Sequence, residues 1–211
     1  MKRRSAVSLV KPLVFISCLL PIIVLSWNGL HDKLSANPIS DITNETGLWT
    51  LRFIVITLAL TPLRKVMGWH WLIKFRRMIG LFAFFYGFLH FTTYIWLDQF
   101  FDWQSMAADI SKRPFITVGF ASFVLMVPLA VTSTQKMIRR LGGKRWDILH
   151  RLIYFTGVGA VIHYMWLVKV VIYRQIIYAA IVAALLLFRL LWKYRPSILK
   201  ARRPAEEPSA A

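Results

Sequence analysis

The sequence predicts an all-α fold: a polytopic membrane bundle of six transmembrane helices with both termini cytoplasmic. Three observations predict it. The 211 residues are 57% apolar and 15% aromatic, with only nine acids, a composition of membrane chains rather than of a soluble domain with one core. Six apolar runs approach the ~20 residues that a hydrocarbon core about 30 Å thick demands. Finally, Lys and Arg crowd into alternate inter-span segments, as the positive-inside rule requires.

The runs fall at Val10–Asn28, Leu48–Leu63, Met78–Leu97, Phe115–Val131, Leu149–Val168 and Tyr173–Trp192. The first follows a basic MKRR, but its apolar stretch from Leu9 to Trp27 outlasts the ~7–15 residues of a signal-peptide core and ends in no small-x-small site, so it reads as a retained anchor. The second is short unless it begins at Thr46. Residues 1–9 form a cytoplasmic N-terminus, residues 10–192 the six-helix domain, and residues 193–211 a basic tail rich in Pro and Ala that reads as disordered.

Most of the 27 basic residues stand before span 1, between spans 2 and 3, between spans 4 and 5, and from the end of span 6 onward. A formal charge of +18 raises nucleic acid as a partner, but charge held in short loops between spans is explained by orientation in a lipid bilayer, and no nucleic-acid partner is expected. Cys18 stands alone inside span 1, so there is no thiol metal site and no intrachain disulfide. No GxGxxG unit, P-loop or long hydrophilic insertion is present. Nucleotide chemistry would have to come from another protein.

The histidines carry the chemistry. His31 and His70 lie in polar or basic loops and read as solvated. His90 in span 3 and His163 in span 5 lie at lipid depth, where ionisable groups are costly and face the bundle interior. At ~1.5 Å per residue, His90 is ~18 Å and His163 ~21 Å from the cytoplasmic end of its span. Two imidazoles at one level on facing helices can clamp an iron from both sides. Zinc would want four ligands, and no further Cys or carboxylate stands at that depth. Haem asks the protein for only two. Gly80, Gly87, Gly157 and Gly159 would thin the helix walls for a flat macrocycle, or serve ordinary helix packing.

His150 precedes His163 by thirteen residues, ~20 Å along one ideal helix and ~140° around it. It could hold a second haem, or line a flavin or quinol site, only with a ligand from elsewhere, because Arg76 and Arg77 occupy the matching level of span 3. It could also simply bond to a loop carbonyl. Arg52 is a candidate haem propionate contact or a snorkelling cation, and Tyr94 and Tyr164 could bond to a propionate or line the exit, or belong to the aromatic belt at the interface. Trp146, Asp147, Arg151 and the loops Lys74–Arg77 and Arg139–Arg145 form a cationic inner face that could receive an FMN phosphate or be topology charge alone; no FMN ligands are assigned.

The motifs TGLWTLRF, LTPLR, RRMIGLFAFFYGFLH, RPFITVGF, PLAVTSTQKMIRRLGGKRWDILHRLIY and IHYMW follow one another between residues 46 and 166. Together they resemble the MsrQ (YedZ) family of membrane haem subunits, within the ferric-reductase-like transmembrane superfamily. The His150/His163 pair with twelve intervening residues is similar to the superfamily's fifth-helix pattern. Span 3 departs from it, carrying one histidine, His90, where those relatives carry two ligands. The resemblance implies a b-type cytochrome of the bacterial inner membrane, with one haem b or two. It would pass electrons from quinol or a cytosolic flavin reductase to a periplasmic MsrP-like molybdopterin enzyme that reduces methionine sulfoxide in oxidised proteins. FMN is implied by the resemblance only. Sulfoxide reduction itself would take place on the partner.

Two rival classes stand beside this reading. A small transporter or proton-coupled channel would use His90 and His163 as a path, but no inverted repeat or pair of broken helices is visible. An assembly subunit would use the histidines only to pack against a partner.

Overall fold

The computed structural model describes residues 2–167 and 173–201. Among them the regular structure is wholly helical, with nine α-helices, one 3-10 turn and one π-helical turn. α1 spans Lys2–Leu30, α2 Pro38–Met67, α3 Ile73–Thr93, α4 Trp103–Lys112, α5 Pro114–Val131, α6 Gln135–Leu141, α7 Gly143–Leu149, α8 Leu152–Leu167 and α9 Tyr173–Ala201.

Among the described residues, five stretches are long and apolar enough to cross a membrane: Leu9–Leu30, Pro38–Met67, His70–Asp98, Pro114–Val131 and Tyr173–Tyr194. They correspond to five of the six expected spans. The second is a full 30-residue helix, longer than its apolar stretch because its start is well capped. The Asn37 side chain accepts from Ser40 N–H at 3.1 Å, Pro38 occupies the first turn, and Gly68 ends the helix at φ 69°.

The expected fifth span is different. A single helix from Leu149 carrying both His150 and His163 does not form: α7 ends at Leu149, the chain turns at His150 and Arg151, and α8 starts at Leu152. The cause is local. Trp146 Nε1–H donates to the carbonyl of Thr132 at 2.9 Å, which ties α7 to the end of α5. The turn then tightens through Arg151 N–H to Ile148 O at 3.1 Å and Tyr154 N–H to Arg151 O at 3.0 Å, contacts three residues apart rather than four. α8 is 16 residues in its described length, about 24 Å of helix, and Val168 lies outside the described residues. At the other end of the chain, α9 continues as helix to Ala201, through the first part of the stretch expected to be a disordered tail.

α2, α3, α5, α8 and α9 pack as a closed ring, each touching the next, with α2 and α3 forming one intimate pair and α5 and α8 the other. In lipid there is little hydrophobic drive between helices, so close approach at small residues does the work. A Cβ on Gly157 of α8 would sit 3.1 Å from Leu58 Cδ1 of α2, and Ile54, Leu58, Ala83 and Tyr86 are almost wholly buried at these contacts.

α1 leans on the outside of the α2–α3 pair. Its polar fastening is Tyr86 of α3, whose hydroxyl donates to Cys18 O at 2.9 Å and accepts from Ile22 N–H at 3.1 Å. Those two backbone groups would otherwise bond each other, so the phenol is inserted into the helical ladder one residue after Pro21, which supplies no N–H.

The connection between α3 and α5 holds the amphipathic α4. Asp102 caps it, accepting from Gln104 N–H at 3.0 Å and Ser105 N–H at 3.1 Å.

Candidate functional site

His90 and His163 come from different helix pairs and meet inside the ring. Their ring centres lie 6.1 Å apart with the planes at 75°. His90 leaves α3 and lays its ring on α2, with Nδ1 2.9 Å from the carbonyl of Thr43. His163 leaves α8 and lays its ring on α5, with Nδ1 2.7 Å from the carbonyl of Phe115. A carbonyl only accepts, so each Nδ1 carries the proton and each Nε2 is left as the lone-pair nitrogen. Backbone carbonyls holding the far nitrogen of an imidazole are the arrangement that orients a metal-ligating histidine.

The spacing has a chemical meaning. A first-row metal bonded to one nitrogen of each of two imidazoles at about 2.0–2.1 Å sets the ring centres roughly 6 Å apart, once about 1.1 Å from nitrogen to ring centre is added on each side. Among the described residues no group of three or more His, Cys, Asp or Glu gathers anywhere. The pair can therefore offer two protein ligands and no more.

The inner histidine is built otherwise. His150 Nε2 lies 3.1 Å from Thr132 Oγ1, and that hydroxyl donates its own proton to Pro128 O at 2.6 Å. The hydroxyl must then accept from His150, so the proton is on Nε2 here. The ring stacks on Trp146 at 3.8 Å. The expected alternative of a loop carbonyl is thus replaced by a threonine hydroxyl, and because the helix is broken at His150 the ideal-helix angle to His163 does not apply.

Comparison with known proteins adds the family. Residues 46–161 match the model of the ferric reductase like transmembrane component. A protein of Herminiimonas arsenicoxydans is 53% identical over 89% of this chain and 87% of its own length; one of Azospira oryzae is 49% identical over 95% and 88%; one of Ralstonia nicotianae is 51% identical over 86% and 85%. Each of the three is named as the heme-binding subunit MsrQ of protein-methionine-sulfoxide reductase. The chain belongs to the MsrQ family.

In this MsrQ-family chain the matched segment runs from Thr46 in α2 to Val161 in α8 and so takes in His90 and His150, while His163 falls two residues past its end. The group named for the relatives suits the donor set: a porphyrin supplies four nitrogens of its own and needs from the chain only an axial pair.

Other expected residues are placed elsewhere. Arg52 faces α9, with Nε 3.3 Å from Tyr178 Oη and its guanidinium 4.4 Å above Trp49. Together with Tyr173, Arg174 and Ile177 it lines a cavity of about 380 Å³ between α2 and α9. Tyr94 donates to Asp109, which also receives Gln99 and pairs with Arg113 at 3.1 Å, so this tyrosine fastens the outer loop. Tyr164 packs edge-on against Tyr178. His31 bonds to Trp27 O at 2.9 Å and is exposed, as is His70.

The four glycines expected to thin the walls face other helices instead: Gly80 meets Thr57, Gly87 meets Thr50 and Met126, Gly157 meets Leu58, and Gly159 meets Ser122. Two glycines that the sequence left unremarked, Gly47 and Gly119, are the ones that touch the histidine rings. Arg189 was also missed as a built feature: it reaches from α9 to the carbonyl of Leu58 in α2, and its guanidinium lies 5.3 Å from the Tyr154 ring centre. Charged side chains are rare inside membrane bundles and, where they occur, bond to backbone carbonyls in this way.

Proposed function

We propose that this chain is the haem-binding, electron-passing membrane subunit of a methionine sulfoxide reductase system, with His90 and His163 as the axial ligands of a b-type haem. The observation that carries the reading is the pair of Nδ1-to-carbonyl bonds, which leaves two Nε2 atoms as ligands on rings 6.1 Å apart. The names of the relatives support it. His90 and His163 would hold the haem, which would supply one-electron transfer chemistry there.

The chain's own contribution is to hold the two rings, keep both in the Nδ1–H tautomer and surround them with apolar helix. Arg52, beside Tyr178, is the residue that would receive a haem propionate. Both termini are taken as cytoplasmic, in a bacterial inner membrane. The electron donor is membrane quinol or a cytosolic flavin reductase, with FMN as an associated cofactor. The acceptor is a periplasmic MsrP-like molybdopterin reductase, on which the sulfoxide is reduced. The inner end, with His150, is the place for a second haem or a flavin.

The test is an oxidised and reduced visible spectrum of the detergent-purified protein. Sharp low-spin b-type bands are expected. A well-folded protein without haem would overturn the reading and return the histidines to a transport path.

A further inference from the structure

The two histidines are seated in the same way, though on unrelated stretches of sequence. His90 donates to the carbonyl of Thr43, and its ring lies against Gly47, four residues further along α2. His163 donates to the carbonyl of Phe115, and its ring lies against Gly119, four residues further along α5. In an α-helix the carbonyl of residue i already accepts from the N–H of residue i+4. The imidazole therefore shares a carbonyl already engaged by its own helix, at Thr43 also by the Thr46 hydroxyl at 3.1 Å, and to reach it the ring lies over the place where the side chain of residue i+4 would begin. Only glycine leaves that place empty.

The distances say how strictly. A Cβ at position 47 would stand 3.0 Å from both Nδ1 and Cε1 of His90. A Cβ at position 119 would stand 2.6 Å from Nδ1 and 2.8 Å from Cε1 of His163, closer than side chains tolerate. The atoms met belong to a ring already fixed by its carbonyl bond, so relief means turning the ring or breaking the bond.

We propose that Gly47 and Gly119 are positioning residues: each is the floor on which one axial imidazole rests, and together they set the 75° angle between the two ring planes. The proposal rests on the axial-ligand reading above. It makes these glycines part of the haem site although neither offers an atom to the iron.

Helix propensity argues the opposite way, which makes the proposal easy to test. Glycine to alanine inside a helix ordinarily stabilises by roughly 0.5–1 kcal/mol, so if the two glycines served only the backbone, the alanine variants would be unchanged or firmer. The experiment measures haem content, visible spectrum and low-temperature electron paramagnetic resonance of purified wild type, Gly47→Ala, Gly119→Ala and Gly80→Ala. Gly80 serves as control, because its added Cβ would meet Thr57 at an ordinary 3.7 Å. Near-perpendicular imidazole planes give a highly anisotropic low-spin signal, and this is the expected wild-type spectrum. Gly119→Ala should lose that signal for a more rhombic or high-spin one, Gly47→Ala should shift it less, and Gly80→Ala should leave it alone.

Circular dichroism and size-exclusion behaviour establish that each variant folds. Should Gly119→Ala not fold, Gly47→Ala decides. Haem bound with the wild-type resonance in the folded glycine variants would overturn the seating role. Haem absent from folded wild type would instead overturn the axial reading beneath it.

Discussion

The outer histidine pair and the inner His150 are made of the same side chain and differ in which nitrogen is engaged. At His90 and His163 a backbone carbonyl accepts from Nδ1–H, and Nε2 is left without a hydrogen-bond partner on rings 6.1 Å apart. At His150 a threonine hydroxyl takes the proton of Nε2, and the ring is stacked on a tryptophan. The nitrogen that protrudes furthest from the backbone is thus free for a ligand at one end of the bundle and spent on a neighbour at the other. A histidine's place in a span tells less than the partner of its second nitrogen.

The strongest way to break this comparison is to remove a member of the outer pair. His90→Ala or His163→Ala should abolish the low-spin b-type spectrum, while His150→Ala should keep it; loss of the bands in all three alike would erase the distinction between the two ends. A haem-to-protein ratio measured on the same samples sharpens it, since a fall in His150→Ala as well would count a second haem held beside His150.

A smaller effect separates the inner histidine from its acceptor. Thr132→Val leaves His150 Nε2–H without its hydroxyl partner, and because the ring is only half-buried the cost falls at the low end of the ~1–3 kcal/mol of a stranded buried donor. Denaturant unfolding in detergent should register that loss with the outer pair's spectrum unchanged; an unaltered stability would mean that the His150 contact is not a holding bond. Smaller again is Trp146→Phe, which keeps an aromatic face under His150 but deletes the bond to Thr132 O. About 0.5–1.5 kcal/mol is expected from a single net hydrogen bond, read by the same titration.

How much of this was legible in the sequence follows from the range over which each feature acts. Helical rise fixes depth within a span, so His90 and His163 could be set at one level from their distances to the inner ends alone. The seats could not, because a histidine ring leaves its own helix: the acceptors Thr43 and Phe115 are 47 and 48 residues away in the chain. The glycines that drew attention were those near the histidines in sequence, whereas the ones that matter stand on the facing helix. Likewise, the apolar run from Leu149 reads as one unbroken span, and the break at His150 comes from a tertiary bond between Trp146 and Thr132 that periodicity does not encode.

The phenol of Tyr86 has a bearing on biosynthesis. A bundle of this kind is assembled from helices that enter the bilayer in turn, and α1 precedes the tyrosine that fastens it by 64 residues. Until α3 arrives, Ile22 N–H and Cys18 O have only each other, and the newborn α1 is a regular helix at that turn. The final bonding of the first helix at that turn is therefore completed by the third, and a ribosome halted between them would leave an α1 that has not yet received the phenol.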